Sequence, residues 1–332
     1  MLVSWNVTQK CNLSCKHCYR ESGPDINTRN ELSTEEGLEL ITGIAQAGFK
    51  RLIFSGGEPL LRNDLYELIC CANNNNLITA LGTNGTLITK EVAKELKKVQ
   101  VKAVAISLDN LEAEKHDQFR QISGSWNKAM RGIQNCLSEG IKLQINTTVT
   151  RTNYEQISEM MEFVSQIGGK AHHLFFLVNV GRGRELKEEV LNKEQYRQML
   201  EIIVNMKKNL NIELKPTCAP QFMVEAQKKY INMHYSRGCI AGISYCCILP
   251  NGDVHICPYL PLKVGSVRIT PFKILWLHNE IFKQLRDFSN YKGKCGKCLY
   301  NQLCGGCRAR AYYDTGDFLQ EDHWCLEEIV HG

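Results

Sequence analysis

Between residues 2 and 208 the sequence alternates short apolar runs with helix-like stretches, an order that few folds accept. "LVSWNVT" (2–8) reads as a strand, and "STEEGLELITGIAQAG" (33–48) as a helix opened by a capping box, Ser33 to Glu36, and stopped at Gly48. Strand "RLIFSG" (51–56) leads to a helix at 63–74, and "LITALGTNG" (77–85) to one at 89–99. "VKAVAISLD" (101–109) leads to helices within 111–138, "KLQINTTVT" (142–150) to a helix at 153–167, and "AHHLFFLVNV" (171–180) to one at 192–208. Six such units imply an α/β fold with a parallel sheet and short crossovers. Eight would close a full barrel, so six leave a partial (β/α)6 one. After Lys215 the helical period fades, and Cys, Gly, Pro and Tyr concentrate between 216 and 325. "ILPNGDVHI" (248–256) places Asn251-Gly252 between alternating residues, a hairpin signal. The expected division is therefore 1–215 for the partial barrel and 216–332 for a cysteine-dense second domain.

Sixteen cysteines lie in a chain of 332 residues whose start lacks a basic leader and a small-residue cleavage site. A reducing compartment argues against a disulfide scaffold and leaves metal binding as the leading use, in a cytoplasmic protein. No run of eighteen apolar residues occurs, so no membrane span is expected. A net charge of +5 suits an anionic substrate and is too weak to argue for nucleic acid.

"KCNLSCKHCYR" (10–20) packs Cys11, Cys15 and Cys18 into a C-x3-C-x2-C spacing in the loop after the first strand. In parallel α/β architectures that end of the strands carries the chemistry. Three thiolates on a cubane 4Fe–4S cluster leave the fourth iron open to a small molecule, which a four-cysteine cluster cannot offer. A zinc knuckle borrowing a distant ligand such as His17 is the competing reading. Cys70, Cys71 and Cys136 sit in helical patterns and read as packed core thiols.

The motif, followed by Tyr19, resembles that of the radical S-adenosylmethionine (SAM) superfamily. "SGGEP" (55–59) ends the second strand where that family has its GGEP motif, "GTNG" (82–85) ends the third and "ISLD" (106–109) the fourth. The resemblance implies SAM contacts at Gly56, Gly57, Glu58, Pro59, Asn84, Ser107 and Asp109, and a 4Fe–4S cluster on Cys11, Cys15 and Cys18. Two adjacent glycines also allow a close backbone approach. The order Cys239, Gly252, Cys257, Cys295, Cys298, Cys304, Cys307 and Cys325 is similar to the SPASM domain, which carries auxiliary clusters. By that likeness Cys295, Cys298, Cys304 and Cys325 hold one auxiliary 4Fe–4S cluster, and Cys239, Cys257 and Cys307 the other. Cys246 is its expected fourth ligand and Cys247 the alternative, since neighbouring strand residues point oppositely. Cys218 is expected to ligate nothing. The two-residue gap in "CGGC" (304–307) departs from the pattern, and a zinc ribbon is the competing reading of this region.

"HHLFFLVNVGRGRE" (172–185), "KPTCAPQF" (215–222) and "CGGCRARAYYDTGD" (304–317) resemble the SPASM enzymes of haem and haem d1 biosynthesis, NirJ among them. That likeness implies an iron tetrapyrrole substrate, removal or oxidative decarboxylation of its acetate or propionate arms, and an external one-electron donor of flavodoxin or ferredoxin type. Arg182 and Arg184, in a Gly-rich loop after the sixth strand, are the expected carboxylate clamps, with Arg237, Lys263 and Arg268 adding charge. His172 and His173 read as core histidines before iron ligands. A SPASM maturase acting on a ribosomally made peptide is the alternative.

Overall fold

The computed structural model describes residues 1–327; the expected second domain runs to 332, and its last five residues lie outside the described ones. Ten strands form one sheet: β1 (Leu2–Thr8), β2 (Arg51–Gly56), β3 (Ile78–Thr83), β4 (Ala103–Ser107), β5 (Lys142–Val149), β6 (Ala171–Phe176), β7 (Glu213–Thr217), β8 (Tyr245–Ile248), β9 (Asp253–His255) and β10 (Lys263–Ser266). Their order is β10-β9-β8-β1-β2-β3-β4-β5-β6-β7. The strands from β8 to β7 run parallel, and β9 and β10 return antiparallel.

All six expected units form, each strand from β1 to β6 handing over to the next through helices. The first crossover helix, Thr34–Gln46, starts as read: Glu36 N donates to Ser33 Oγ and Ser33 N to the Glu36 carboxylate. It stops at Gly48, whose φ of +82° lets Gly48 N reach Ala45 O and Phe49 N reach Ile44 O.

Two features go beyond the sequence reading. The sheet crosses the expected boundary at 215, because β7 pairs with β6 through Pro216 and Thr217. A proline is tolerated there because β7 is an edge strand. At the other edge β8, from the cysteine-rich region, pairs in parallel with β1, and the Asn251-Gly252 turn carries the chain into β9. The cysteine-rich region thus extends the barrel's own sheet.

Alternation along β1 sets its two faces. Val3, Trp5 and Val7 are fully buried and point to the helices, while Ser4, Asn6 and Thr8 face the opposite side. Trp5 and Leu68 press on helix Thr34–Gln46 at Gly37, where an added Cβ would lie 2.8 Å from the indole and 2.9 Å from Leu68 Cδ2. Among the described residues no helix is long and apolar enough to cross a membrane.

The same helix supplies a matched pair of tests. Gly37→Ala forces a methyl into filled space and is expected to cost about 1–3 kcal/mol. At Gly43 an added Cβ would meet its nearest neighbour, Phe272 Cβ, at 3.8 Å, ordinary contact. Gly43→Ala is expected to be neutral or to stabilise by up to about 1 kcal/mol. Thermal midpoints of the anaerobically purified variants should move in opposite directions, or only the first should fall.

Candidate active site

The loop after β1 buries Cys11 and Cys15 and leaves Cys18 half-buried. Burial pushes the Cys11 thiol up to about 12 and raises Cys15 too, against the opposing pull of Arg120. Isolated thiols here stay protonated; they become thiolates only with positive charge beside them. The surroundings suit sulfur that has become anionic. Leu13 N points at Cys11 Sγ (3.4 Å), Ser22 N at Cys18 Sγ (3.4 Å), Asn84 Nδ2 at Cys11 Sγ (3.8 Å) and Arg120 Nη1 at Cys15 Sγ (3.9 Å). Three soft donors, two buried and one half-buried, with N–H groups around them are of the kind an iron–sulfur cluster takes.

The "SGGEP" turn is welded to this loop. A Cβ on Gly56 would fall 2.3 Å from Thr8 O, and one on Gly57 2.2 Å from Lys10 O, so only glycine fits at either position. Gly57 N donates to Thr8 O and Glu58 N to Lys10 O, both at 2.8 Å. Glu58 is fully buried, and its carboxylate accepts from Leu60 N (3.2 Å), Thr83 Oγ1 (2.8 Å) and Asn84 N (2.9 Å). Burial raises it to about 7 despite those donors. Asn84 Nδ2 in turn donates to Asn12 Oδ1 at 2.9 Å, and Pro59 opens a short 3-10 turn. Gly56, Gly57, Glu58, Pro59 and Asn84 therefore gather beside the cysteine loop, with the Glu58 and Asn84 side chains bracing protein.

Asp109 departs from expectation. Arg120 closes on its Oδ2 at 2.7 Å and Thr148 N donates to Oδ1 at 2.9 Å, so both oxygens are taken. Burial disfavours the charge, but Arg120 overrides it and holds the carboxyl at about 2. Asp109 anchors Arg120 against Cys15, with Thr148 N on its other oxygen. Ser107, at the end of β4, remains half-exposed.

Arg182 is also corrected. Its Nε donates to Cys15 O (2.8 Å), its Nη2 to Ser22 O (2.9 Å) and its backbone N to Cys18 O (3.1 Å). It straps the cysteine loop, whereas Arg184 lies two residues on in a different setting. An open cleft of roughly 440 Å³ runs between that loop and the cysteine-rich region, and Arg184 lines it together with Tyr19, Arg20, His255, Tyr259 and Tyr313. Arg184 lies beside Tyr313, and Arg20 Nη2 donates to Pro258 O at 2.8 Å. Neither arginine has a carboxylate partner among the described residues. Arg20, adjoining the motif at Tyr19, was missed in the sequence; its signal was that adjacency. The other expected cations are occupied: Arg237 on backbone carbonyls beneath Phe288, Lys263 on Asp253 (2.7 Å), and Arg268 on Glu36 (2.7 Å). His172 is buried against Thr147 Oγ1 (2.8 Å), and His173 pairs with Glu213 (3.1 Å), as core histidines do.

The C-terminal cysteines fall into two neighbourhoods. Cys295, Cys298, Cys304 and Cys325 lie around one cleft, with Arg308 Nη2 (3.4 Å) on Cys295 Sγ, Tyr300 N (3.4 Å) on Cys298 Sγ and Gly306 N (3.4 Å) on Cys304 Sγ. Cys239, Cys257 and Cys307 form the other, and the thiol that joins them is Cys218. Cys218 lies beside Cys307 and holds that thiol down, against burial and with help from Arg310. Cys218 also holds a left-handed backbone, φ +60°, which a non-glycine residue adopts only at a cost. Cys246 departs from expectation: it pairs with Val3, so it shares the helix-facing side of the sheet and sits near Arg286. Cys247 pairs with Ser4 and points the other way, accepting from Asn6 Nδ2 at 3.6 Å. The short "CGGC" gap is bridged by Gly305 (φ +76°) and Gly306 (φ +60°), whose left-handed turns send Cys304 and Cys307 into different neighbourhoods. Between them Asp322 accepts from Cys307 N (2.8 Å), Gln221 Nε2 (2.9 Å) and Arg310 (2.8 Å).

The chain matches the Radical SAM superfamily over residues 5–164 and the iron–sulfur cluster-binding SPASM domain over 239–308. It is 39% identical to the AdoMet-dependent heme synthase of Nitratidesulfovibrio vulgaris, across 98% of this chain and 91% of that one. It is 32% identical to the pre-heme d1 synthase of Dinoroseobacter shibae, across 98% and 85%. Streptococcus suis SuiB bound to S-adenosylmethionine superposes with a TM-score of 0.79 at 18% identity, over 98% of this chain and 77% of that one, a likeness of fold alone. With its three-cysteine loop, its SGGEP turn and its SPASM-type cysteine region, the chain belongs to the radical SAM superfamily and is a radical SAM enzyme homologous to the heme synthases.

Proposed function

We propose that the enzyme acts on an iron tetrapyrrole, removing or oxidatively decarboxylating carboxylate side chains in haem or haem d1 biosynthesis. The observation that carries this reading is the cleft beside the cysteine loop, whose arginines Arg20 and Arg184 have no acidic partner among the described residues. Tyr19, Tyr259 and Tyr313 add aromatic faces, and a flat macrocycle edged with carboxylates asks for that combination. The heme synthase and pre-heme d1 synthase relatives support the same reading.

Cys11, Cys15 and Cys18 would hold the cluster at which SAM is cleaved. When bound, that cluster would supply the single reducing electron and SAM the group that is reduced, which together provide hydrogen-atom abstraction from a substrate carbon. The residues of this chain supply the rest. The Gly56–Gly57 backbone sets the depth of the cofactor's seat beside the cysteine loop, and Glu58 ties that seat to β3 and so to Asn84. Arg120, held by Asp109, places positive charge against Cys15. Arg182 keeps the loop closed, and Arg20 and Arg184 orient the substrate's carboxylates. In the second region Cys295, Cys298, Cys304 and Cys325 would hold one auxiliary cluster, and Cys218, Cys239, Cys257 and Cys307 the other. Electrons would come from a small flavodoxin- or ferredoxin-type donor, and the reading places the enzyme in the cytoplasm, where thiols stay reduced.

Two experiments follow. Fully loaded protein is expected to bind about twelve iron atoms, four to each of three cubanes. Cys218→Ala should lower that to about eight, and Cys246→Ala should leave it unchanged. Iron analysis after anaerobic reconstitution checks both, and the reverse ranking would restore Cys246 as the ligand.

Spectroscopic titration with an iron porphyrin carboxylate tests the cleft. Arg20→Ala and Arg184→Ala should each weaken binding by about 1.5–3 kcal/mol, roughly ten- to a hundredfold, without changing SAM cleavage measured in the absence of substrate. Arg182→Ala should instead impair that cleavage and the iron content of the first site. Binding of a peptide but of no porphyrin by the wild type would move the assignment to peptide maturation.

A further inference from the structure

His255 ends β9 and lines the cleft with Arg20 and Arg184. Its side chain is almost entirely buried, and its ring is held at one nitrogen: Nδ1 lies 3.1 Å from the carbonyl oxygen of Leu260. A carbonyl can only accept, so this contact places the ring proton on Nδ1 and leaves the lone pair on Nε2. Among the described residues Nε2 has no hydrogen-bond partner. Nor is it sealed off, in contrast to the unpartnered and fully buried Nδ1 of His17 and of His172. The other two strand histidines spend their Nε2 on protein, His172 on Thr147 and His173 on Glu213. His255 alone among the three presents a fixed, bare Nε2 to a cleft.

A histidine clamped at Nδ1 by a backbone carbonyl, with Nε2 open, is how proteins offer imidazole to a metal. The nearby charges do not claim it. Asp253 and Lys263 pair with each other at 2.7 Å, and Arg20, which can only donate, is turned to Pro258 O. Among the described residues nothing else in the cleft wall offers a nitrogen lone pair.

We propose that His255 Nε2 is an axial ligand to the iron at the centre of the substrate's ring, an assignment that rests on the tetrapyrrole reading of this cleft. A bond to the iron fixes the centre of the macrocycle. Arg20 and Arg184 then restrict its rotation by holding carboxylates at the edge. Centre and edge together decide which side chain is delivered to the cofactor, a division of labour that neither contact achieves alone. His255 is in this sense a substrate-binding residue that recognises the metal as well as the ring.

The test compares two probes, an iron(III) porphyrin tetracarboxylate and its metal-free form, titrated anaerobically into cluster-loaded protein. Affinity is read from difference spectra, and the iron's spin state from electron paramagnetic resonance. Wild type should bind the iron form at least about tenfold more tightly than the metal-free form and give an imidazole-ligated signature. His255→Ala should lose that preference and the signature, keep its affinity for the metal-free form, and keep the wild-type iron–sulfur content. Free imidazole should restore the signature in His255→Ala. Should the alanine variant fold poorly, His255→Gln keeps a side-chain donor for the Leu260 carbonyl and should behave alike toward the two probes. An unchanged spin state and unchanged iron preference in either variant would overturn the ligation while leaving the tetrapyrrole reading in place. Failure of wild type to bind either probe would overturn both.

Discussion

Strand β1 is hydrogen-bonded along both edges, to β2 on one side and to β8 on the other. Had β1 been the free edge of the partial barrel, the cysteine loop would have opened onto solvent. With β8, β9 and β10 continuing the sheet, the loop instead lies between two walls, one from the barrel and one from the cysteine-rich region. The cleft with Arg20, Arg184 and His255 is the space those walls leave. The contact is fixed from both directions: Arg268 reaches Glu36 and the carbonyls of Asn30 and Glu31, while Leu32 N donates to Pro250 O at 2.7 Å. The second region thus forms part of the site.

Within that frame the electrostatic problem is the burial of sulfur. Desolvation raises nearly every thiol in these neighbourhoods that it seals away, so thiolates there need the cations and N–H groups brought to the same places. Each neighbourhood has its own arginine. Arg120 faces Cys15, Arg308 faces Cys295, and Arg310 lies beside the group that contains Cys307. Buried guanidinium groups need partners of their own, which explains Asp109 and Asp322. Each holds an arginine at close range and also accepts a backbone N–H, from Thr148 and from Cys307 respectively. These carboxylates position cations against sulfur, Asp109 at the cysteine loop and Asp322 in the second region.

What the sequence made legible was local. A three-cysteine spacing, a double glycine after a strand and a capping box are each set within a few residues; the capping box formed as read, and the other two lie in the loops after β1 and β2. Contacts that depend on how distant segments meet were not legible. Arg120 lies on a helix eleven residues beyond Asp109, and nothing in that spacing announces their pairing. Arg182 and Arg184 look alike in "GRGR", yet Gly181, whose Cβ would strike Cys18 O, brings the first arginine under the loop and leaves the second to the cleft. For Cys246 and Cys247 alternation says that they face apart, but the side each takes is set by the register of β8 on β1. Cys218 carried one usable signal, its place at the end of a barrel strand, the same place that marks Cys11.

Hydrogen transfer out of the substrate reports most directly on the chemistry proposed for this cleft. An iron porphyrin carboxylate deuterated at the side-chain carbons, turned over anaerobically with SAM and a reductant, is followed by mass spectrometry of both products. The account expects deuterium in the 5′-deoxyadenosine, together with a porphyrin that has lost a carboxyl-bearing fragment. SAM cleaved to unlabelled 5′-deoxyadenosine beside an unaltered porphyrin would contradict it.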